Sequence, residues 1–115
     1  MTPEPGYAAV PPPDCLLTLA LPVALEEDLI DQLLSHADWV PGFSITQGQG
    51  MGQRIALTTS MEQVQGRARR CFIQVALGRE RVQALVAALR RAVPSPQVTY
   101  WVQPLLEFGR LEVGE

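Results

Sequence analysis

Lysine is missing from this chain of 115 residues, and all nine of its basic residues are arginine. That absence excludes a lysine-dependent phosphate loop, a Schiff-base lysine and a lysine general base. Histidine is nearly as scarce, with His36 alone, and no Ser/His/Asp or Cys/His set can be assembled around it. The chain is therefore not expected to be an enzyme. The two cysteines, Cys15 and Cys71, stand far apart in apolar runs, which suits small buried hydrophobes and not a disulfide framework. There is no excess of positive charge either. A net charge of −3 provides no basic field for nucleic acid or an anionic membrane. The apolar run Leu16–Leu25 is broken by Pro22 and has no positive residue before it. It is too short to cross a bilayer and unlike a signal peptide, so a cytoplasmic location without membrane insertion is expected.

What is present is globular in composition, 47% hydrophobic and 18% charged, and long enough for one domain with one modest core. Residues 1–13 hold five of the ten prolines and are expected to form a flexible tail with a stiff polyproline end. Residues 14–115 are then the domain. Asp14–Leu21 alternates as a first strand, apolar on both faces, which places it centrally in a sheet. Ala24–Ala37 has a helical stripe of Leu25, Leu29, Ile30, Leu33, Leu34 and Ala37, with acids in its first turn. Phe43–Gln47 and Cys71–Leu77 read as strands two and three. Glu80–Ala92 is a second helix, with Arg90 and Arg91 in its last turn and Pro94 and Pro96 stopping it. Val98–Gln103 is strand four, and Leu105–Val113 is expected to add a short strand or hairpin. The order β-α-β-β-α-β is the α+β, ferredoxin-like arrangement. It predicts a four-stranded antiparallel sheet, both helices on one face, and a long loop between strands two and three. A bare sheet face in so small a domain is expected to find another subunit.

That long loop, residues 48–70, is where function is expected, because a compact domain seldom carries so much irregular chain without a use for it. It starts with Gly48, Gly50 and Gly52 and ends with Arg67, Arg69 and Arg70; Arg54 lies inside it. Glycine permits close approach to a ligand or a neighbouring chain, and arginine forks bind phosphate or carboxylate. Gln49, Met51, Gln53, Arg67, Arg69 and Arg70 are the residues expected to meet a protein partner. His36, Met51, Met61 and Cys71 are the candidate metal ligands, since threefold symmetry turns one ligand into three. Trp39, Trp101, Tyr7 and Tyr100 are expected in the core, an interface or the tail.

The chain resembles the PII-like signalling superfamily over most of residues 14–115. The marks are Gly42 before strand two, the Gly50-Met51-Gly52 turn leading into the loop, and the closing LLEFGRLEVGE with Arg110, Gly114 and Glu115. The resemblance implies a homotrimer that signals through the loop between strands two and three, the T-loop, to a protein partner such as a membrane transporter. It also implies an effector, an adenine nucleotide, in the cleft between subunits at Gly50, Gly52 and Arg110, to which the arginine chemistry of the loop adds Arg54. The chain departs from the pattern in two places. Pro94-Ser95-Pro96-Gln97 replaces the glycine-lysine loop, with Thr99 where the lysine would stand, and Glu112 replaces the second closing arginine. A lost cation and an added carboxylate beside a triphosphate cost several kcal/mol, so ATP binding of the usual sort is not expected. The alternatives are a metal-sensing or metal-buffering protein of heavy-metal tolerance, with a transition-metal ion as ligand, and an amino-acid-binding module of the ACT type.

Overall fold

The period-two patterns and helical stripes do produce the expected sheet and helices. The structure, a computed structural model, describes residues 12–52 and 55–112. The proline tail up to Pro11, Gln53, Arg54, Val113, Gly114 and Glu115 lie outside the described residues, together with what was expected of them. The strands are β1 (Cys15–Pro22), β2 (Phe43–Gly50), β3 (Ala68–Leu77) and β4 (Thr99–Pro104). The helices are α1 (Glu26–Ser35), entered through a 3-10 turn at Val23–Leu25, α2 (Ser60–Gln65) and α3 (Arg79–Ala92). The sheet order is β2-β3-β1-β4 with every pair antiparallel. This is the ferredoxin-like α+β fold, and β1 is central in it.

One face of the sheet is closed by α1 and α3. Cys15, Leu17, Leu19 and Leu21 of β1 and Cys71, Ile73, Val75 and Leu77 of β3 pack there against Leu29, Leu33, Val82, Leu85, Val86 and Leu89. Burying a side chain of this size is worth about 1.5–3 kcal/mol, so this face holds most of the stability. The helix ends are finished electrostatically. Glu26, Glu27 and Asp28 lie at the start of α1, and Arg90 and Arg91 at the end of α3. Asp14 accepts a hydrogen bond from the Arg79 N–H at 2.8 Å, which satisfies one of the free amides at the start of α3.

The other face carries Leu16, Thr18 and Ala20 of β1. Beside them in register are Phe72, Gln74 and Ala76 of β3, Ser44 and Thr46 of β2, and Thr99, Trp101 and Gln103 of β4. No helix covers it. Thr18 is only 2% exposed, under its neighbours' side chains, and its hydroxyl has no hydrogen-bond partner among the described residues.

Four expectations need correction. β2 runs on through Gly48 and Gly50, and β3 begins at Ala68, so Arg69 and Arg70 are strand residues and the excursion is shorter than 48–70. The excursion is not irregular throughout, since it contains α2. Leu34 and Ala37, assigned to the inner stripe, are exposed, and α1 stops at Ser35. Finally, 105–112 forms neither strand nor hairpin; Pro104 ends β4 and cannot extend a ladder.

Candidate functional site

The return of the chain from β2 to β3 is built from polar contacts. Thr59 caps α2, its hydroxyl accepting from the Glu62 N–H at 3.1 Å. Gly66 closes the helix in the left-handed region, at φ 69°, where an L side chain would be strained. Glu62 is 5% exposed and ties the segment together. One carboxylate oxygen accepts from the N–H and the hydroxyl of Thr58 at 2.8 and 3.1 Å, the other from the Arg69 N–H at 2.9 Å. The Arg69 amide, followed by the Thr58 amide, holds the Glu62 pKa below the usual carboxylate range.

Beneath this knot lies Arg70, 4% exposed. Its stem crosses β2 at Gly50, where an added Cβ would sit 2.8 Å from Arg70 Cγ and 3.0 Å from Ile55 Cδ1. Gly50 therefore serves close packing of an arginine stem. Gly52 follows at φ 139°, a conformation that favours glycine. The Arg70 guanidinium donates to the Gln97 carbonyl at 3.1 Å, and the Gln97 side-chain oxygen accepts from the Ala56 N–H at 3.0 Å. The turn Pro94–Val98 thus clasps both Arg70 and the backbone at Ala56. Burial lowers the Arg70 pKa. Among the described residues no carboxylate pairs with its guanidinium, and its neutral acceptor is a backbone carbonyl. A cation desolvated without a counterion is costly unless an anion completes it.

The candidate residues fall into separate places. Gly50, Gly52 and Arg70 share the loop end of the sheet, where Arg70 pairs with Gly48 and Pro22. Arg110 follows Pro104, which pairs with Cys15 at the opposite end of β1. Seven residue steps separate Cys15 from Pro22, about 23 Å at the usual strand rise. One chain therefore does not bring Arg110 to the glycines. Arg67 reaches Gln49 at 3.1 Å on the surface, while Met51 and Met61 are exposed. Cys71 points into the helix-covered core, where burial and the Glu26 carboxylate push its thiol up to about 12. His36 stacks on Trp39 with ring centroids 5.0 Å apart. These four do not assemble, and no group of three or more His, Cys, Asp or Glu side chains suited to a metal occurs among the described residues. No described helix is long and apolar enough to cross a membrane.

Glu62 and Gln97 were not singled out from the sequence. Glu62 had a signal, because Thr59-x-x-Glu62 is a capping box. Gln97 had none, since it acts through a contact spanning 41 residues.

A family model described as a protein of unknown function, DUF3240, matches residues 12–112. Among solved structures, a DUF3240 family protein from Shewanella baltica OS155 is similar at 21% identity and a TM-score of 0.69, covering 86% of this chain and 97% of that one. CPII from Thiomonas intermedia K12, a nitrogen regulatory PII-like protein solved with ADP, AMP and bicarbonate, is similar at 23% identity and a TM-score of 0.63. That match covers 85% of this chain and 94% of the other. No curated protein matches.

Proposed function

The chain belongs to the DUF3240 family, and from that membership and the PII-like fold we propose that it is a non-catalytic, homotrimeric regulator. Its effector is a small anion, an adenine mono- or diphosphate or a carboxylate, and the site is centred on Arg70. The observation that carries this reading is the buried guanidinium, which among the described residues is held by a backbone carbonyl and by no carboxylate. A phosphate or carboxylate oxygen is a charged acceptor, roughly twice as strong as a neutral one, and takes Arg70 from Gln97. Releasing Gln97 loosens its grip on Ala56 and shifts the population of the 51–67 excursion between clasped and free forms. Exposed Met51, Met61 and Val64 on that excursion give a protein partner an adaptable apolar contact. Arg110 of a neighbouring copy completes the anion site, since its own Arg70 lies at the far end of the sheet. The CPII structure with ADP, AMP and bicarbonate supports this ligand class.

Cys71 and His36, the side chains that nucleophilic or acid–base chemistry would draw on, are both engaged in packing. Cys71 is buried with its thiol pushed up, and His36 is stacked on Trp39.

The test is calorimetric titration with ATP, ADP, AMP, cyclic AMP and bicarbonate, with mass by light scattering. At least one anion is expected to bind with Kd near micromolar, about 8 kcal/mol, with ADP or AMP tighter than ATP because Glu112 repels added charge. The mass expected is that of a trimer. Silence toward every anion overturns the effector reading, and a monomer overturns the assembly.

A further inference from the structure

β4 is an edge strand, and all six of its residues are exposed. Its register places Tyr100 opposite Leu19 and Val102 opposite Leu17, on the face that α1 and α3 cover elsewhere. The helices stop short of this edge. A groove remains between α3 and β4, lined by Leu29, Val86, Leu89, Val98 and Tyr100, with Arg90 on its rim. Beyond β4 the last backbone hydrogen bond between the described tail and the domain runs from the Leu105 N–H to the Asp14 carbonyl at 2.9 Å, and Phe108 is still half-covered. Every residue of 106–112 is then exposed, and Leu106 and Leu111 are 101% and 104% exposed. The tail is apolar where it should be polar, and the groove is open where it should be filled.

We propose that the 105–112 tail of one copy lies in the α3–β4 groove of a second copy, alongside the β4 edge, so that the chains are stitched together by their ends. Three observations select this occupant. In an extended chain Leu106 and Phe108 project to the same side, which gives two apolar anchors for one groove. The tail carries Glu107 and Glu112 against one cation, Arg110, and the groove is flanked by Arg90 and Arg91 in the last turn of α3. The tail also leaves from the Cys15–Pro104 end of the sheet, while the groove opens from Tyr100 toward the Pro94–Val98 turn at the other end. The tail's direction therefore carries it away from its own groove. An edge strand with free backbone groups is the usual acceptor for an added extended segment.

The test is disulfide trapping in the full chain without ligand, so that a failed effector site leaves its result untouched. Phe108→Cys and Tyr100→Cys chains are made separately, each checked for unchanged circular dichroism, then mixed and oxidised. Both native cysteines are buried and stay silent. The expected result is a band of twice the chain mass in the mixture, at least tenfold stronger than in either variant alone, and lost when Leu106→Glu is added to the Phe108→Cys chain. An intrachain link in the Phe108→Cys/Tyr100→Cys double variant with no intermolecular band in the mixture overturns the proposal in favour of a tail folded onto its own groove. No link in either sample overturns it outright.

Discussion

The two faces of the sheet are made by the same strands in the same register, yet they have opposite chemistry. On the covered face every second residue of β1 is apolar and closed by helices. On the open face a threonine hydroxyl and an arginine are buried and a phenylalanine half-buried, covered by neighbouring side chains and by the returning loop and by neither α1 nor α3. The covered face makes the domain stable. The open face, with its loop end, carries the groups left unbalanced among the described residues: the hydroxyl of Thr18 and the cation of Arg70. Stability and candidate function are thus separated by one residue of register, because successive side chains of a strand point to opposite sides.

The largest expected effect comes from the covered face. Leu17→Ala removes a side chain with no exposed surface and is expected to cost about 2–5 kcal/mol in urea unfolding, with the ligand site of the surviving folded fraction unchanged. A loss under about 1 kcal/mol would break the comparison by showing that this face is not the main source of stability.

Next is Arg70→Met, which keeps much of the stem packed against Gly50 while deleting the charge. Anion affinity is expected to fall 10- to 150-fold, from a charge-assisted bond worth about 1.5–3 kcal/mol, while stability stays the same or rises. A variant that binds as well as the parent removes Arg70 from the site.

A smaller change is expected from Thr18→Val. It replaces an unsatisfied buried hydroxyl with a methyl group and should raise stability by about 1 kcal/mol, read as a higher Tm. If the Tm falls instead, the hydroxyl has a partner in the assembly and the open face is not bare.

The smallest effect is local and depends on pH. The Glu62 pKa is lowered in the folded chain by its backbone donors. Its contribution is therefore present above the unfolded value, near 4.5, and is lost as pH falls through the lower folded value. Hydrogen exchange at the Thr58 and Arg69 amides should lose protection in acid relative to the β1 amides, and Glu62→Gln should abolish that pH dependence. Equal loss at β1 would mean that the excursion and the sheet open as one unit.

Much of this architecture was legible as pattern. The alternation of Cys15, Leu17, Leu19 and Leu21 and the stripe of Val82, Leu85, Val86 and Leu89 follow from burying one face of a strand and one side of a helix. Both are visible along the chain. The limits of the excursion were not legible. Gly48 and Gly50 look like strand breakers, but they lie in β2 because the Phe72 ring and the Arg70 stem occupy the space their Cβ atoms would need. α2 escaped notice because its apolar residues, Met61 and Val64, are exposed. Caps hold it, not a buried stripe.

By itself the sequence determined the order of the four strands and the two long helices, the covered face and the exclusion of lysine chemistry, because these depend on composition and on local periodicity. Only the tertiary structure decided that Arg70 is buried against Gln97 and that Glu62 ties the excursion to β3. It also decided that Arg110 lies at the wrong end of its own sheet to join Gly50 and Gly52. Each of these depends on contacts between residues distant in the chain, and such contacts are set by how the strands are ordered and aligned, which no local pattern encodes.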